Sequence, residues 1–233
     1  MKTAMNKNLP DQILNVCKPV GISSYDVVRQ VKRLIPGVKI GHGGTLDPFA
    51  EGVLLILIGK ATRRMPDLLK CKKSYRALLK LGAATETGDH TAAVRTTGAV
   101  PDISEEKLSA IEREFTGDIT QIPPRYSAKK IRGKPAYKYA REGRAVQLKP
   151  VDVRIYDLKL DLVEEDIITI SVTCSSGTYI RVLGEDIARA LGTCGHLVSL
   201  RRTAIGEYHI GDCIEFDKLQ EFTPEQLMAR ASD

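Results

Sequence analysis

A chain of 233 residues, 42% hydrophobic and 27% charged, is long enough to bury about 70% of the surface its unfolded form exposes, so it needs no staple to hold a core. Its longest apolar run, Val53 to Ile58, is far short of the ~20 residues that cross a bilayer, and its start lacks the apolar stretch of a secretory signal; no membrane is expected, and the cytoplasm is. Five cysteines, widely spaced and without a C-x-x-C pair, argue against a disulfide framework and a zinc knuckle alike.

In chain order, Ile13 to Cys17 reads as a short strand. The next segment reads as a helix with Ser23 or Ser24 as N-cap, Val27, Val28, Val31, Leu34 and Ile35 on one face, and Pro36 as its stop. A glycine-rich loop, Gly41 to Gly52, follows. Val53 to Ile58 suits a doubly covered strand and a short buried helix equally well. From Lys73 to Gly82 the pattern alternates, with Tyr75, Ala77, Leu79 and Leu81 on one face and Ser74, Arg76 and Lys80 opposite, which predicts a half-buried strand with Tyr75 facing in. A helix is expected from Ser104 to Phe115. Val151, Val153 and Ile155 alternate, and Tyr156, Leu158, Leu160 and Leu162 continue in the other phase, so a bulge is expected at Ile155-Tyr156. Ile168 to Cys174 is its antiparallel hairpin partner. Thr178 then caps a helix carrying Ile180, Leu183, Ile187 and Leu191, which ends at Gly192. With strands outnumbering helices and pairing mostly antiparallel, the expected class is α+β, a mixed, largely antiparallel central sheet flanked by helices, in one domain over residues 1–233.

The net charge of +6 is unevenly spread. Between Pro123 and Pro150 stand Arg125, Lys129, Lys130, Arg132, Lys134, Lys138, Arg141, Arg144 and Lys149 against one acid, Glu142, a net +8 in 28 residues that leaves −2 for the other 205. Tyr126, Tyr137 and Tyr139 lie in the same stretch. Basic residues interleaved with aromatics are what a phosphate backbone with accessible bases calls for, although a solvated loop also gathers Lys and Arg.

The loop GHGGTLDPFAEG sets four glycines around His42 and Asp47, with Pro48 favouring an extended Asp47. It reads as a rigid platform presenting one carboxylate, or as an Asx-turn in which Asp47 only closes the loop. It lacks the G-x-x-x-x-G-K-[ST] of a phosphate-binding loop. No second acid sits in a comparable motif, so the pair that ordinary glycoside hydrolysis needs is missing. A lone Asp acting on a sugar carbon or a proton needs a cation to hold it ionised; Arg181, in SSGTYIR, is a candidate, and a surface Arg in a first helical turn is the alternative. His42, His90, His196 and His209 have no i, i+3 or i, i+4 companion, so no metal is expected.

The succession KPVGISS (Lys18 to Ser24), GHGGTLDPFAEGVLLILIGKATR (Gly41 to Arg63), KSY (Lys73 to Tyr75), PPRYSAKKIRGKPAYKYAREG (Pro123 to Gly143), SSGTYIR (Ser175 to Arg181) and LRRTAIG (Leu200 to Gly206) resembles the TruB family of tRNA pseudouridine synthases, in order from about residue 12 to residue 210. The resemblance implies a pseudouridine-synthase fold and a cofactor-free isomerisation of uridine-55 in the T loop of tRNA, by a monomer whose partner is the tRNA T stem-loop and which requires no protein partner. By the same resemblance, Asp47 is the catalytic aspartate, Tyr75 lies against the target base and helps remove its C5 proton, and Arg181 pairs with Asp47. Lys18 and Pro19 support the pocket, His42 contacts the extruded nucleotide, and Leu200 lines the pocket. Residues 121–150 form a thumb that grips RNA, and Tyr126, Lys129, Lys130, Arg132 and Tyr179 are substrate or RNA contacts. Gly43 stands where the family commonly has Thr, and Glu51 is unusual beside an RNA-facing loop. No separate PUA domain is expected. The chief rival is a non-catalytic RNA-binding or RNA-chaperone protein, whose thumb would look the same.

Overall fold

The computed structural model describes residues 12–127, 129–131, 133–144 and 147–231. Strand β1 (Gln12–Lys18) precedes helix α1 (Ser24–Leu34), β2 (Ile40–His42) and β3 (Glu51–Ile58). A 3-10 turn (Gly59–Arg64) runs into α2 (Met65–Lys70), then β4 (Lys73–Leu81), the hairpin β5 (Ala83–Thr85) and β6 (Val94–Thr97), α3 (Glu105–Phe115) and β7 (Gly117–Gln121). The basic segment holds a small hairpin, β8 (Lys130–Ile131) and β9 (Lys134–Pro135), and α4 (Ala136–Arg141). Beyond it lie β10 (Val151–Glu164), β11 (Ile167–Cys174), α5 (Ile180–Ala190), β12 (Gly195–Ile205), β13 (Tyr208–His209), β14 (Ile214–Glu215) and α6 (Pro224–Ala229). These residues form two compact units, one of residues 12–73 and 201–231, the other of residues 74–200.

In the first unit β1 runs antiparallel to β3 along its whole length, from Gln12 opposite Ile58 to Lys18 opposite Gly52, and parallel to β14. The other edge of β3 is shared: β2 pairs with Ile56 to Ile58, and Arg201 and Arg202 of β12 pair in parallel with Glu51 and Gly52. With both edges and both faces covered, VLLILI is a strand, since a doubly covered strand carries an unbroken apolar run. Leu54, Ile56 and Ile58 pack with Val27, Val28 and Val31 of α1 and with Ile35 just after it, while Val53, Leu55 and Leu57 meet Ala61, Leu68 and Ile205. Helix α1 starts at a capping box: Ser23 Oγ accepts from Asp26 N at 3.2 Å, and Asp26 Oδ2 accepts from Ser23 N at 2.9 Å, worth about 1 kcal/mol. The glycine loop is shorter than the sequence implies, because the open edge of β3 takes Gly41 and His42 into β2.

Gly52 shows what that packing demands. Its φ of +105° is unsuited to L side chains, and a Cβ there would stand 2.2 Å from the Arg202 carbonyl oxygen. Gly52→Ala is expected to cost at least about 3 kcal/mol in urea unfolding, strain and clash together. Gly37→Ala, at φ +80° with nothing within 4 Å, should cost only about 1–2 kcal/mol. Equal losses would show that the strand contact is soft.

The second unit carries the order β4-β11-β10-β7, with β10 antiparallel to both neighbours. Tyr156 is the extra residue of the expected bulge, between the pairs Ile155–Cys174 and Asp157–Thr173. Helix α5 buries Ile180, Leu183, Ile187 and Ala188. Its N-cap is Tyr179 rather than Thr178, whose hydroxyl donates instead to the Ser175 carbonyl at 2.9 Å. The side chain of Gln121, 1% exposed at the end of β7, holds the backbone of Tyr179 itself: its Oε1 accepts from Tyr179 N at 3.0 Å and its Nε2 donates to Tyr179 O at 3.3 Å. Among the described residues no helix is long and apolar enough to cross a membrane.

Candidate active site

In the first unit the loop from Gly43 to Ala50 is held along its backbone by side chains from three elements. Arg202 of β12 donates from Nε to Val53 O at 2.7 Å, from Nη1 to Thr45 O at 3.3 Å and from Nη2 to Gly44 O at 3.3 Å. Ser24 of α1 grips Leu46 twice, accepting from its N at 2.9 Å and donating to its O at 3.1 Å. Lys18 of β1 donates to Pro19 O at 2.7 Å, Ile22 O at 2.8 Å and Pro48 O at 3.5 Å. Gly21 N adds a bond to Pro48 O at 2.8 Å, and Ala50 N bonds Asp47 O at 3.1 Å. Leu46 and Phe49 are buried, which leaves half-buried Asp47 at the exposed rim beside Pro48.

Two buried cations underlie this loop, Lys18 at 0% and Arg202 at 1% exposure. Burial pulls the Lys18 ammonium down to about 8; Asp47 opposes the shift and Arg202 reinforces it. The unfolded chain, with Lys18 near its ordinary value of 10.5, holds that proton more tightly. The burial penalty is therefore full below pH 8 and fades as pH rises to about 10.5, with up to about 3 kcal/mol regained. Comparison of urea unfolding with Lys18→Met should show wild type gaining on the variant across that window; parallel curves would contradict it. Half-buried His42, in β2, is also pulled below its ordinary value, chiefly by burial.

In the second unit Arg181 is 5% exposed, which excludes the surface reading of that arginine. Its Nη1 donates to Thr87 O at 2.6 Å, its Nη2 to Tyr126 O at 3.0 Å, and its Nε lies 3.8 Å from Asp89 Oδ2. Asp89, 5% exposed, is itself fixed by the Thr87 hydroxyl at 2.9 Å, by Thr91 N at 3.0 Å and by the Thr91 hydroxyl. Arg181 thus ties α5 to the turn after β5 and to the root of the basic segment. A cleft of about 500 Å³ opens beside it, lined among others by Arg95, Arg125, Arg189 and Glu185; burial, and then Asp186, pushes the Glu185 carboxyl up. Tyr75 is half-buried on β4, whose neighbouring Ser74 hydroxyl meets that of Thr173 at 2.9 Å. Leu200 is buried on β12.

The basic segment is folded rather than a bare loop. Ala136 N bonds Lys129 O at 2.8 Å, Tyr137 N bonds Ser127 O at 3.1 Å, and Lys134 pairs with Glu142 while lying 4.9 Å above the Tyr139 ring. Tyr126 and Lys129 are half-buried, and Lys130 lies in β8. Arg132 lies outside the described residues. Among the described residues no three His, Cys, Asp or Glu side chains are grouped to hold a metal ion.

The structure therefore gathers Lys18, Pro19, His42 and Asp47 about one loop, and Tyr126, Tyr179 and Arg181 about the root of the basic segment. Sequence reading missed Arg202, Asp89 and Gln121. Arg202 was findable: Leu200, Arg202 and Ala204 alternate with exposed Ser199 and Arg201 along β12, so the second arginine of LRRTAIG had to point inward. Glu51 is explained by Arg201, whose Nε bonds its Oε1 at 2.6 Å; at Gly43 a Cβ would stand 3.3 Å from that of Leu55, so a larger residue there asks Leu55 to shift slightly.

A family model described as TruB family pseudouridylate synthase (N terminal domain) matches residues 32–180, and one described as tRNA pseudouridylate synthase B C-terminal domain matches residues 181–230. The proteins named tRNA pseudouridine synthase B from Francisella philomiragia and Bordetella avium are each 43% identical to this chain, the first over 93% of it and 72% of its own length, the second over 91% and 88%. Among solved structures, a chain of a Cbf5-Nop10-Gar1 complex superposes with TM-score 0.69 at 29% identity, and one of an H/ACA RNP bound to a substrate RNA containing 2'-deoxyuridine with 0.67 at 27%. This chain spans 59% and 58% of those two chains. It belongs to the TruB family of pseudouridylate synthases.

Proposed function

We propose that this chain converts uridine-55 in the T loop of tRNA to pseudouridine, as a cytoplasmic monomer and without a cofactor. The observation that carries the reading is the Asp47 loop, a backbone fixed by Lys18, Ser24 and Arg202 around one rim carboxylate, in a chain whose relatives bear the name tRNA pseudouridine synthase B. The N1–C1′ bond of the uridine breaks, the base turns, C5 bonds to C1′, the C5 proton leaves and N1 takes up a proton in its place, so that the product is an isomer of the substrate. Bonds broken and formed nearly balance, so the reaction needs no external energy source. Asp47 acts on the sugar, Tyr75 stacks on the base and takes part in removing the C5 proton, and Arg181 serves as the cation for Asp47. The target must leave its stack first, and stacking on Tyr75 offsets part of that cost. His42 contacts the flipped nucleotide, Leu200 lines its pocket, Lys18 and Pro19 support it, and the thumb grips the stem through phosphates and 2′-hydroxyls.

An isolated T stem-loop should be converted with kcat/KM within about tenfold of intact tRNA, a difference under ~1.4 kcal/mol. Replacing Lys129, Lys130 and Arg132 by Ala should flatten the salt dependence of binding by roughly 0.7 to 0.9 for each phosphate that is no longer neutralised. A stem-loop converted a thousandfold more slowly, or a salt slope unchanged in the triple variant, would show that the thumb does not hold the RNA.

A further inference from the structure

We propose that Arg202 is a positioning residue for Asp47, its guanidinium fork setting where the loop holds the carboxylate. The proposal rests on the functional reading of Asp47 above. Arg202 is 1% exposed, and among the described residues no carboxylate pairs with it; its three nitrogens go one each to the carbonyls of Val53, Thr45 and Gly44. A buried charge without a counter-ion is costly, and for stability alone an apolar side chain of similar volume often does as well or better. What the guanidinium adds is geometry: a planar fork making three charge-assisted bonds to fixed points, which an ammonium cannot reproduce.

The other end of Arg202 is equally fixed. Its backbone pairs with Gly52, so closely that a Cβ on Gly52 would lie 2.2 Å from the Arg202 carbonyl oxygen. The fork therefore reaches the loop from a rigid strand. It locks Gly44 and Thr45, Ser24 locks Leu46, and Lys18 and Gly21 lock Pro48, so the Asp47 Cα is fixed from both sides. Its charge is felt there too, since Arg202 lowers the proton affinity of both Lys18 and His42. Chemistry at the sugar tolerates about 0.5 Å of error in the carboxylate, and a displacement of about 1 Å can cost a hundredfold in rate.

Arg202→Lys keeps charge and most of the volume but loses the fork. Assayed well below its melting temperature, it should convert a T stem-loop at least 100-fold more slowly in single turnover, with Kd for that RNA within threefold of wild type. A purely structural role would lower the rate only in step with the unfolded fraction. Hydrogen exchange gives a readout that does not depend on the reaction. In wild type the Leu46 and Ala50 amides should be as protected as those of β3, and in Arg202→Lys they should exchange at least tenfold faster while β3 is unchanged. A folded Arg202→Lys with a rate within threefold of wild type would overturn the proposal, as would an RNA affinity that falls along with the rate. If no Arg202 variant folds, unprotected loop amides in wild type would overturn it and protected ones support it. Failure of wild type to make pseudouridine would instead refute the reading of Asp47, leaving the exchange data to decide whether Arg202 fixes the loop.

Discussion

Asp47→Asn is expected to reduce pseudouridine formation by at least about 10⁴-fold while binding of tRNA stays within about tenfold, that is within ~1.4 kcal/mol. The substitution keeps the shape and polarity of the side chain and removes only the charge. The loop is held through the carbonyls of Gly44, Thr45, Leu46 and Pro48 and the amide of Leu46, none of which the change touches. Losing the charge also withdraws an attraction that favours the buried Lys18 ammonium, so stability should fall modestly. A variant within tenfold of wild-type turnover would show that the carboxylate is not the reacting group; loss of binding together with activity would assign Asp47 a folding role.

Arg181→Met is expected to slow the chemical step at least about 100-fold, in keeping with the loss of one preorganised charged donor, and to do so more strongly than it weakens RNA binding. The change also leaves buried Asp89 without its arginine and frees the carbonyls of Thr87 and Tyr126, so stability should fall by about 3 kcal/mol. Arg181→Lys should rescue the fold better than the rate, because one ammonium can satisfy Asp89 or the two carbonyls but not the whole fork. Single-turnover assays beside thermal melts separate the two effects. A lysine variant with wild-type rate would reduce Arg181 to a strut.

The contrast between Arg181 and Arg202 shows how far the sequence could be read. Arg181 stands in a motif the family resemblance singles out, and its burial confirms that it is no surface residue. Arg202 is one of two adjacent arginines, and composition cannot tell the one that meets Glu51 at the surface from the one turned inward; only the phase of β12 does. Local patterns were legible wherever one face is buried and the other wet, as in α1, β4 and the bulge at Tyr156. They failed where tertiary pairing decides: Gly41 and His42 become strand because β3 offers an open edge, and Thr178 yields the cap of α5 because Gln121, 58 residues away, holds Tyr179. The basic segment was visible as charge, but its hairpin and helix rest on bonds such as Ala136 N to Lys129 O, which no periodicity announces.

The central claim, that this chain makes pseudouridine at one site in tRNA unaided, meets its most direct test in a single incubation. Unmodified tRNA transcript is mixed with the purified protein in EDTA, and pseudouridine is mapped chemically at nucleotide resolution. Wild type should modify one position, uridine-55, and Asp47→Asn should modify none. Tight binding without any modified base, or modification spread over other uridines with position 55 untouched, would contradict the claim.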